Sequence, residues 1–333
     1  MLWASQRLGR LPLGRLLLCA RALGRPVRAR MPGVMETGSR PPADASRAIV
    51  VHLIDGTYEL FRHFYGLRRF NKGRDRPFGA VAGVLQSVVE FFERGEMHVG
   101  VATDHVIESF RNRLWDGYKT AQGVEATLLA QFHPLEDALR AMGVAVWPMI
   151  ELEADDALAS AARIAAEDQR VQKVCIWTPD KDLAQCVKDD RVVQVDRKAK
   201  TIRDAAGVRQ KFGVEPALIA DFLALVGDAA DGYPGIAGIG AVGAARLLNR
   251  HGPIEAFPPE VLGEQREQAL LFKRLATLRS DAPLFDNVDQ LRWCGPTDEF
   301  ATWTQRIDAP RLLERCVKAQ LDVRSGVAST ALD

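Results

Sequence analysis

The stretch Ala48-Ile-Val-Val-His-Leu-Ile-Asp-Gly56 decides the fold. A continuous apolar run closed by Asp-Gly reads as a strand buried on both faces and followed by a turn. Such strands belong to parallel sheets, whose crossovers lay helices on either side. The residues that follow keep to that plan. Gly79–Glu93 carries apolar residues at helical spacing, and Met97–Ala102 and Val144–Trp147 read as a second and a third strand. Glu153–Ala166 is Ala-rich and helical, Val174–Trp177 is a fourth strand, and Arg191–Val195 with Lys198–Ile202 makes a fifth strand and a hairpin partner. This β-α-β-α order implies an α/β fold with a mostly parallel sheet flanked by helices. After about Asp204 the texture turns helical, and the part from 253 onward shows no clear chemistry.

The chain has 333 residues, with 44 Lys+Arg against 43 Asp+Glu and a net charge of +1. With 47% hydrophobic and 26% charged residues it is of ordinary globular composition. Its cysteines are scattered without CxxC spacing and its histidines form no HExxH, so neither a zinc ribbon nor a His-based zinc site is expected. No apolar run is long enough to span a membrane. Residues 1–35 hold seven arginines and no acid; subtracting these from 44 leaves 37 basic against 43 acidic residues. This segment reads either as an organelle transit peptide or as sequence ahead of a true start at Met31 or Met35, with the second reading preferred. Residues 1–47 are therefore expected to be a disordered leader and linker, and the protein to be cytoplasmic in a bacterium, or organellar if the leader is real.

Acids recur where strands end. Asp55 closes the first strand, Asp104 the second, and Asp180 and Asp182 follow the fourth, while Glu153, Asp155 and Asp156 open the helix after the third. In open α/β sheets functional groups collect at these carboxyl ends. Each acid alone could be a turn former or a helix cap. Together on one edge they would repel strongly unless cations neutralised them, and an all-oxygen ligand set suits Mg²⁺ or Mn²⁺. Two such ions would serve phosphoryl chemistry.

Farther on, Leu225–Gly240 is rich in glycine, and Gly238-Ile-Gly240 before Ala241–Asn249 is a helix–hairpin–helix pattern. Glycines let a backbone approach phosphate closely, and a helix N-terminus can receive it. Asp228 and Asp231 lie just upstream, within reach of the acid cluster. Arg62, Arg68, Arg69, Lys72, Arg74 and Arg76 are answered only by Asp75, and Arg111, Trp115 and Lys119 recur at helical spacing with Tyr118 beside them. Basic and aromatic groups on one helix suit phosphate contact with base stacking.

The ordered set Ile54-Asp-Gly56, Asp104, Ser109-Phe-Arg111, Tyr118-Lys119, Glu153-Ala-Asp-Asp156, Thr178-Pro-Asp-Lys-Asp-Leu183 and Leu225–Gly240 resembles the bacterial and phage 5′ nuclease family. These are the flap endonuclease-like 5′→3′ exonucleases, related to the 5′ nuclease domain of DNA polymerase I. The resemblance covers about residues 48–320. It implies a PIN-like catalytic domain over 48–204 with a helical arch, a helix–three-turn–helix DNA-binding subdomain over 205–320, and a tail over 321–333. It further implies that Asp55, Asp104, Glu153 and Asp155, with Asp156 close by, serve a first metal, and that Asp180, Asp182, Asp228 and Asp231 favour a second. Lys119 would contact the scissile phosphate with Arg111 supporting it, and K⁺ would sit at the hairpin around Gly235, Ile236, Gly238 and Gly240.

The implied activity is Mg²⁺-dependent 5′→3′ exonuclease and flap endonuclease cleavage of DNA, by a monomer, in replication or repair. With no polymerase domain after it, the chain is expected to be a stand-alone nuclease. Gln122 stands where the family usually carries an Arg, and the arch segment is short. A structure-specific DNA-binding protein with weak or no catalysis and a PIN-type ribonuclease are the alternatives. An aspartyl-phosphate phosphatase would want an Asp where Thr57 stands.

Overall fold

The computed structural model describes residues 48–71 and 76–325. Strands β1 (Ile49–Asp55), β2 (His98–Asp104), β3 (Ala145–Met149), β4 (Val171–Trp177), β5 (Val192–Asp196) and β6 (Thr201–Arg203) form one sheet in the order β3-β2-β1-β4-β5-β6. All neighbours are parallel except β5 and β6, the expected hairpin. The first strand is thus central, with β2 on one side and β4 on the other.

Along β1 the side chains alternate between faces, as the pleat demands. Val51 and Leu53 join one core with α5 (Ala154–Glu167), while Ile54 joins the other. The helices before α5 are α1 (Gly56–Asn71), α2 (Gly79–Glu93), α3 (Ala126–Leu129) and α4 (Phe132–Ala141). On the second face Val84, Leu85, Val88 and Phe92 of α2 and Leu135 and Leu139 of α4 are buried against Val99 and Val101 of β2. Burying each such side chain stabilises by about 1.5–3 kcal/mol before chain entropy is charged against it. The alanines of α5 (Ala154, Ala157, Ala161, Ala162, Ala165) let that helix approach the sheet closely. Asp55 and Asp104 share the parity of Leu53 and Ala102, so alternation delivers both carboxylates to the α5 side.

Beyond the sheet come α6 (Ala205–Phe212), α7 (Ile219–Val226), α8 (Ala241–His251), α9 (Pro259–Leu262), α10 (Arg266–Ala276), α11 (Phe300–Arg306) and α12 (Arg311–Arg324). A further core joins Phe222, Leu223 and Leu225 of α7 to Phe272 and Leu275 of α10. The pair α7 and α8 with residues 227–240 between them is the expected helix–hairpin–helix. The described residues from Ala48 onward form one compact unit, so the change of texture near 204 falls inside it. The expected tail begins later than 321, because α12 runs to Arg324.

One local expectation fails. Arg111, Trp115 and Lys119 do not share a helical face: Phe110–Arg113 is a single 3₁₀ turn, and the chain then turns irregularly until α3. Ser109 caps that turn by accepting the Arg111 N–H, and Asn112 closes the capping box. Among the described residues, this turn and α3 are the only helical parts of the segment expected to arch between β2 and α4. The leader, Lys72, Arg74 and Asp75 lie outside the described residues, as do the side chains of Arg68 and Arg69. Arg62 is ion-paired to Glu59, and Arg76 to Asp308 at 2.7 Å.

Candidate metal centre

Each strand end places its acid by using part of it locally. Asp55 Oδ1 accepts the Tyr58 N–H at 2.8 Å, capping α1, and its Oδ2 accepts the Thr178 hydroxyl at 3.0 Å. Asp104 Oδ1 accepts the Ala154 N–H at 2.8 Å, joining the end of β2 to the start of α5. Glu153 is the N-cap of α5, and Asp155 lies in its first turn. Asp180 Oδ1 accepts the Asp182 N–H at 3.0 Å, which folds the turn after β4. The sheet thus gathers Asp55, Asp104, Glu153, Asp155, Asp180 and Asp182 at one edge.

The hairpin brings the remaining two acids. Asp228 Oδ1 accepts the Ala230 N–H at 2.9 Å, and its Oδ2 lies 2.7 Å from Lys181 Nζ. Asp182, Asp228 and Asp231 each offer an oxygen within 4.8 Å of the others, although they come from opposite parts of the fold. The hairpin is held against residues 115–119. The Trp115 indole N–H donates to the Gly232 carbonyl at 3.1 Å, and the Lys119 N–H to the Asp231 carbonyl at 3.0 Å. Gly232 has φ +85° and its α-carbon faces Gly117, whose carbonyl oxygen a β-carbon would meet at 2.0 Å.

Charge balance within the site is uneven. Burial and the neighbouring Asp104 and Asp180 push the Asp55 carboxyl up to about 7. Burial likewise raises Asp104 to about 6, against the lowering pull of Lys119. Asp155 and Asp182 are raised well above the carboxylate range by burial and by Asp180. Burial would raise Glu153 too, but Lys119 and Arg111 overrule it and hold that carboxyl at about 2. Lys119 Nζ lies 2.7 Å from Glu153 and 3.0 Å from Asp231, so it bridges the sheet acids and the hairpin acids. Burial works against the Lys119 ammonium, yet Asp231 and Glu153 keep it charged.

Carboxylates held from ionising by burial and by one another are candidates for cation ligands. Asp182 Oδ1 is buried without a hydrogen-bond partner, an oxygen left over for a ligand. The donor set is all oxygen, which fits a hard divalent cation.

Two residues from the sequence reading have a different surrounding from the one expected. Arg111 is 1% exposed and donates to Asp156 at 2.8 and 2.7 Å, to Glu153 at 3.1 Å, and to the carbonyls of Leu275 and Thr277. A guanidinium enclosed in this way supports the acids from behind and presents no donor to a phosphate. Asp156 is fully buried and faces Arg111, and it also accepts the N–H groups of Glu153 and Arg279. With both oxygens so engaged it anchors the helix start. Gln122 is exposed in the turn after Lys119.

Sequence reasoning quoted Ser109 and Lys181 without a role; the Ser109 hydroxyl donates to Glu153 at 2.6 Å, and Lys181 pairs with Asp228. Sequence reasoning also found nothing after 253, where the carbonyls of Leu275 and Thr277 and the Arg279 N–H complete the clamp. Backbone groups leave no trace in residue type.

Comparison with known proteins gives the family and the fold. A family model described as 5′-3′ exonuclease, N-terminal resolvase-like domain, matches residues 50–213, and one described as 5′-3′ exonuclease, C-terminal SAM fold, matches 214–299. The flap endonuclease Xni of Edwardsiella ictaluri is 34% identical over 241 residues, covering 69% of this chain and 94% of that protein. DNA polymerase I of Pseudomonas aeruginosa is 35% identical over 259 residues, covering 72% of this chain and 28% of the polymerase. The chain spans about a third of the length of the DNA polymerase I relatives it matches (28%, 32% and 34%). Among solved structures, the T5 D15 protein co-crystallised with metal ions superposes with a TM-score of 0.59 at 15% identity, covering 82% of this chain and 99% of that one. Flap endonuclease-1 from Methanococcus jannaschii gives 0.58 at 14% identity, covering 84% and 94%. At these identities the two structures speak for the fold.

Proposed function

The chain belongs to the 5′→3′ exonuclease family, and from that membership we propose that it hydrolyses DNA phosphodiesters at 5′ ends and 5′ flaps with Mg²⁺, or Mn²⁺ in its place. The observation that carries this reading is the convergence of sheet acids and hairpin acids around the unpartnered oxygen of Asp182. Asp55, Asp104, Glu153 and Asp155 would hold one cation, and Asp180, Asp182, Asp228 and Asp231 a second. Bound there, the cations would lower the pKa of an attacking water and stabilise charge on the leaving oxygen.

The chain's own residues do the rest. Lys119, between the two acid groups, would meet the scissile phosphate. Arg111 and Asp156 hold Glu153 and the start of α5 in register behind it. Gly240 opens α8 with no side-chain cap, which leaves the first N–H groups of that helix for a backbone phosphate of duplex DNA. Gly235 and Gly238 have φ of +73° and +83°, and the turn of carbonyls over Gly235, Ile236, Gly238 and Gly240 is where K⁺ would bind. Four free cysteines among the described residues suit a reducing cytoplasm, and no helix among those residues is long and apolar enough to cross a membrane.

The test is cleavage of a 5′-flap duplex in Mg²⁺ with and without EDTA, with an RNA flap alongside. DNA cleavage that EDTA abolishes is expected. Absent cleavage, or equal cleavage in EDTA, sinks the reading. The double variant Asp155→Ala/Asp180→Ala should lose about a hundredfold or more in rate while still binding DNA.

A further inference from the structure

Besides the enclosed Arg111, two lysines pair with acids of the pocket, and they are held differently. Lys119 bridges Glu153 and Asp231. Lys181 has one close carboxylate, Asp228, whose Oδ2 lies 2.7 Å from its Nζ. Asp228 Oδ1 already accepts the Ala230 N–H, so Oδ2 is the oxygen left for a cation, and Lys181 covers it. Asp228, Asp182 and Asp231 share the 4.8 Å cluster, and Asp182 Oδ1 there has no partner at all. The two ends of the ion pair also differ in freedom. The Asp228 side chain is 4% exposed and pinned by the hairpin backbone. Lys181 is 35% exposed and borders a cavity of about 480 Å³, lined also by Gly227, Gly232, Tyr233 and Pro234.

We propose that Lys181 is a placeholder for the second divalent cation. It neutralises Asp228 until that cation enters, then turns its ammonium into the hairpin cavity and binds a phosphate of the substrate strand. Both halves rest on the two-cation site proposed above, and only the phosphate half needs the nuclease activity as well. At equal distance a divalent ion attracts a carboxylate twice as strongly as an ammonium does, and it repels the ammonium it displaces. A lysine that reaches solvent forms only a weak pair, so it yields readily. The vacated ammonium has open space on the side where the hairpin backbone lies. Removing Lys181 therefore acts on the two ligands in opposite directions, which a plain structural prop would not do.

The experiment is calorimetric titration of the full chain with Mn²⁺, with no DNA present, for wild type, Lys181→Met and Lys181→Arg. Circular dichroism confirms that each variant is folded. Lys181→Met should bind the weaker Mn²⁺ about fivefold more tightly, while Lys181→Arg, which keeps the charge, stays at the wild-type value. On a 5′-flap duplex at saturating Mg²⁺, Lys181→Met should raise KM about fivefold with kcat little changed. Unchanged or weaker Mn²⁺ binding in Lys181→Met overturns the placeholder. An unchanged KM overturns the transfer to phosphate. A wild-type chain that binds Mn²⁺ but cuts no flap counts against the nuclease reading, and the Mn²⁺ comparison still decides the placeholder.

Discussion

Arg111 uses every N–H of its guanidinium, toward Glu153, both oxygens of Asp156, and the carbonyls of Leu275 and Thr277. Arg111→Met would leave Asp156 buried without its counter-charge and Glu153 with Lys119 alone. We expect it to cost about 3–5 kcal/mol in urea unfolding. Pairing it with Asp156→Leu should restore only part of that loss, since an apolar pair replaces the buried ion pair but leaves the Glu153 and Arg279 N–H groups without their acceptor. A pair worth nothing would leave Arg111→Met at the wild-type midpoint. The contrast with Asp55 and Asp104 shows what one residue type can say in a sequence. Those aspartates stand where a patterned strand stops, so position alone assigns them to the sheet edge. Arg111 stands in a short turn, and its neighbours come from residues 153–156 and 275–277, a closeness that no local spacing encodes. Its basic character suggested a phosphate, whereas its burial decides for carboxylates.

The hairpin between α7 and α8 was legible as an element because glycine, proline and isoleucine alternate ahead of an amphipathic helix. What could not be read was which glycines are forced. Gly235 has φ +73°, and a β-carbon there would meet the Gly227 nitrogen at 2.4 Å and the Leu225 carbonyl oxygen at 2.7 Å. Gly238 has φ +83° with nothing within 4 Å. Gly238→Ala should therefore cost about 1 kcal/mol, the backbone term alone, and Gly235→Ala about 3 kcal/mol or more as two backbone segments part. Thermal unfolding of the two variants side by side measures this, and equal losses would contradict the close packing. The 115–119 segment makes the same point in reverse. Its spacing suggested a helix, but contact with Gly232 and the Glu153 carboxylate holds it as a turn. Tertiary partners override a weak local preference.

For the whole molecule, the clustered acids couple stability to pH in an unusual direction. In the metal-free protein Asp55 and Asp104 titrate near 7 and 6, above their unfolded values near 3.8. The folded state then binds more protons than the unfolded state between about pH 4 and 7, so stability falls as pH rises through that window. Melting in EDTA should accordingly be higher at pH 5 than at pH 8, and millimolar Mg²⁺ should recover stability at pH 8 far more than at pH 5. A metal-free chain most stable at pH 8 would refute this. The β-α-β order and the acids at its edge were open to sequence reading because they follow from periodicity and chain direction. The near-zero total charge concealed them, since the acids are concentrated in one pocket and the bases spread elsewhere. The clamp on Arg111 has a consequence in time as well. Its seal lies at Leu275 and Thr277, long after the last acid at Asp231. A nascent chain on the ribosome can carry every acid of the pocket and still lack the residues that lock it. The acids alone are therefore not a finished pocket, because Arg111 can be enclosed only once residues 275–277 have been made.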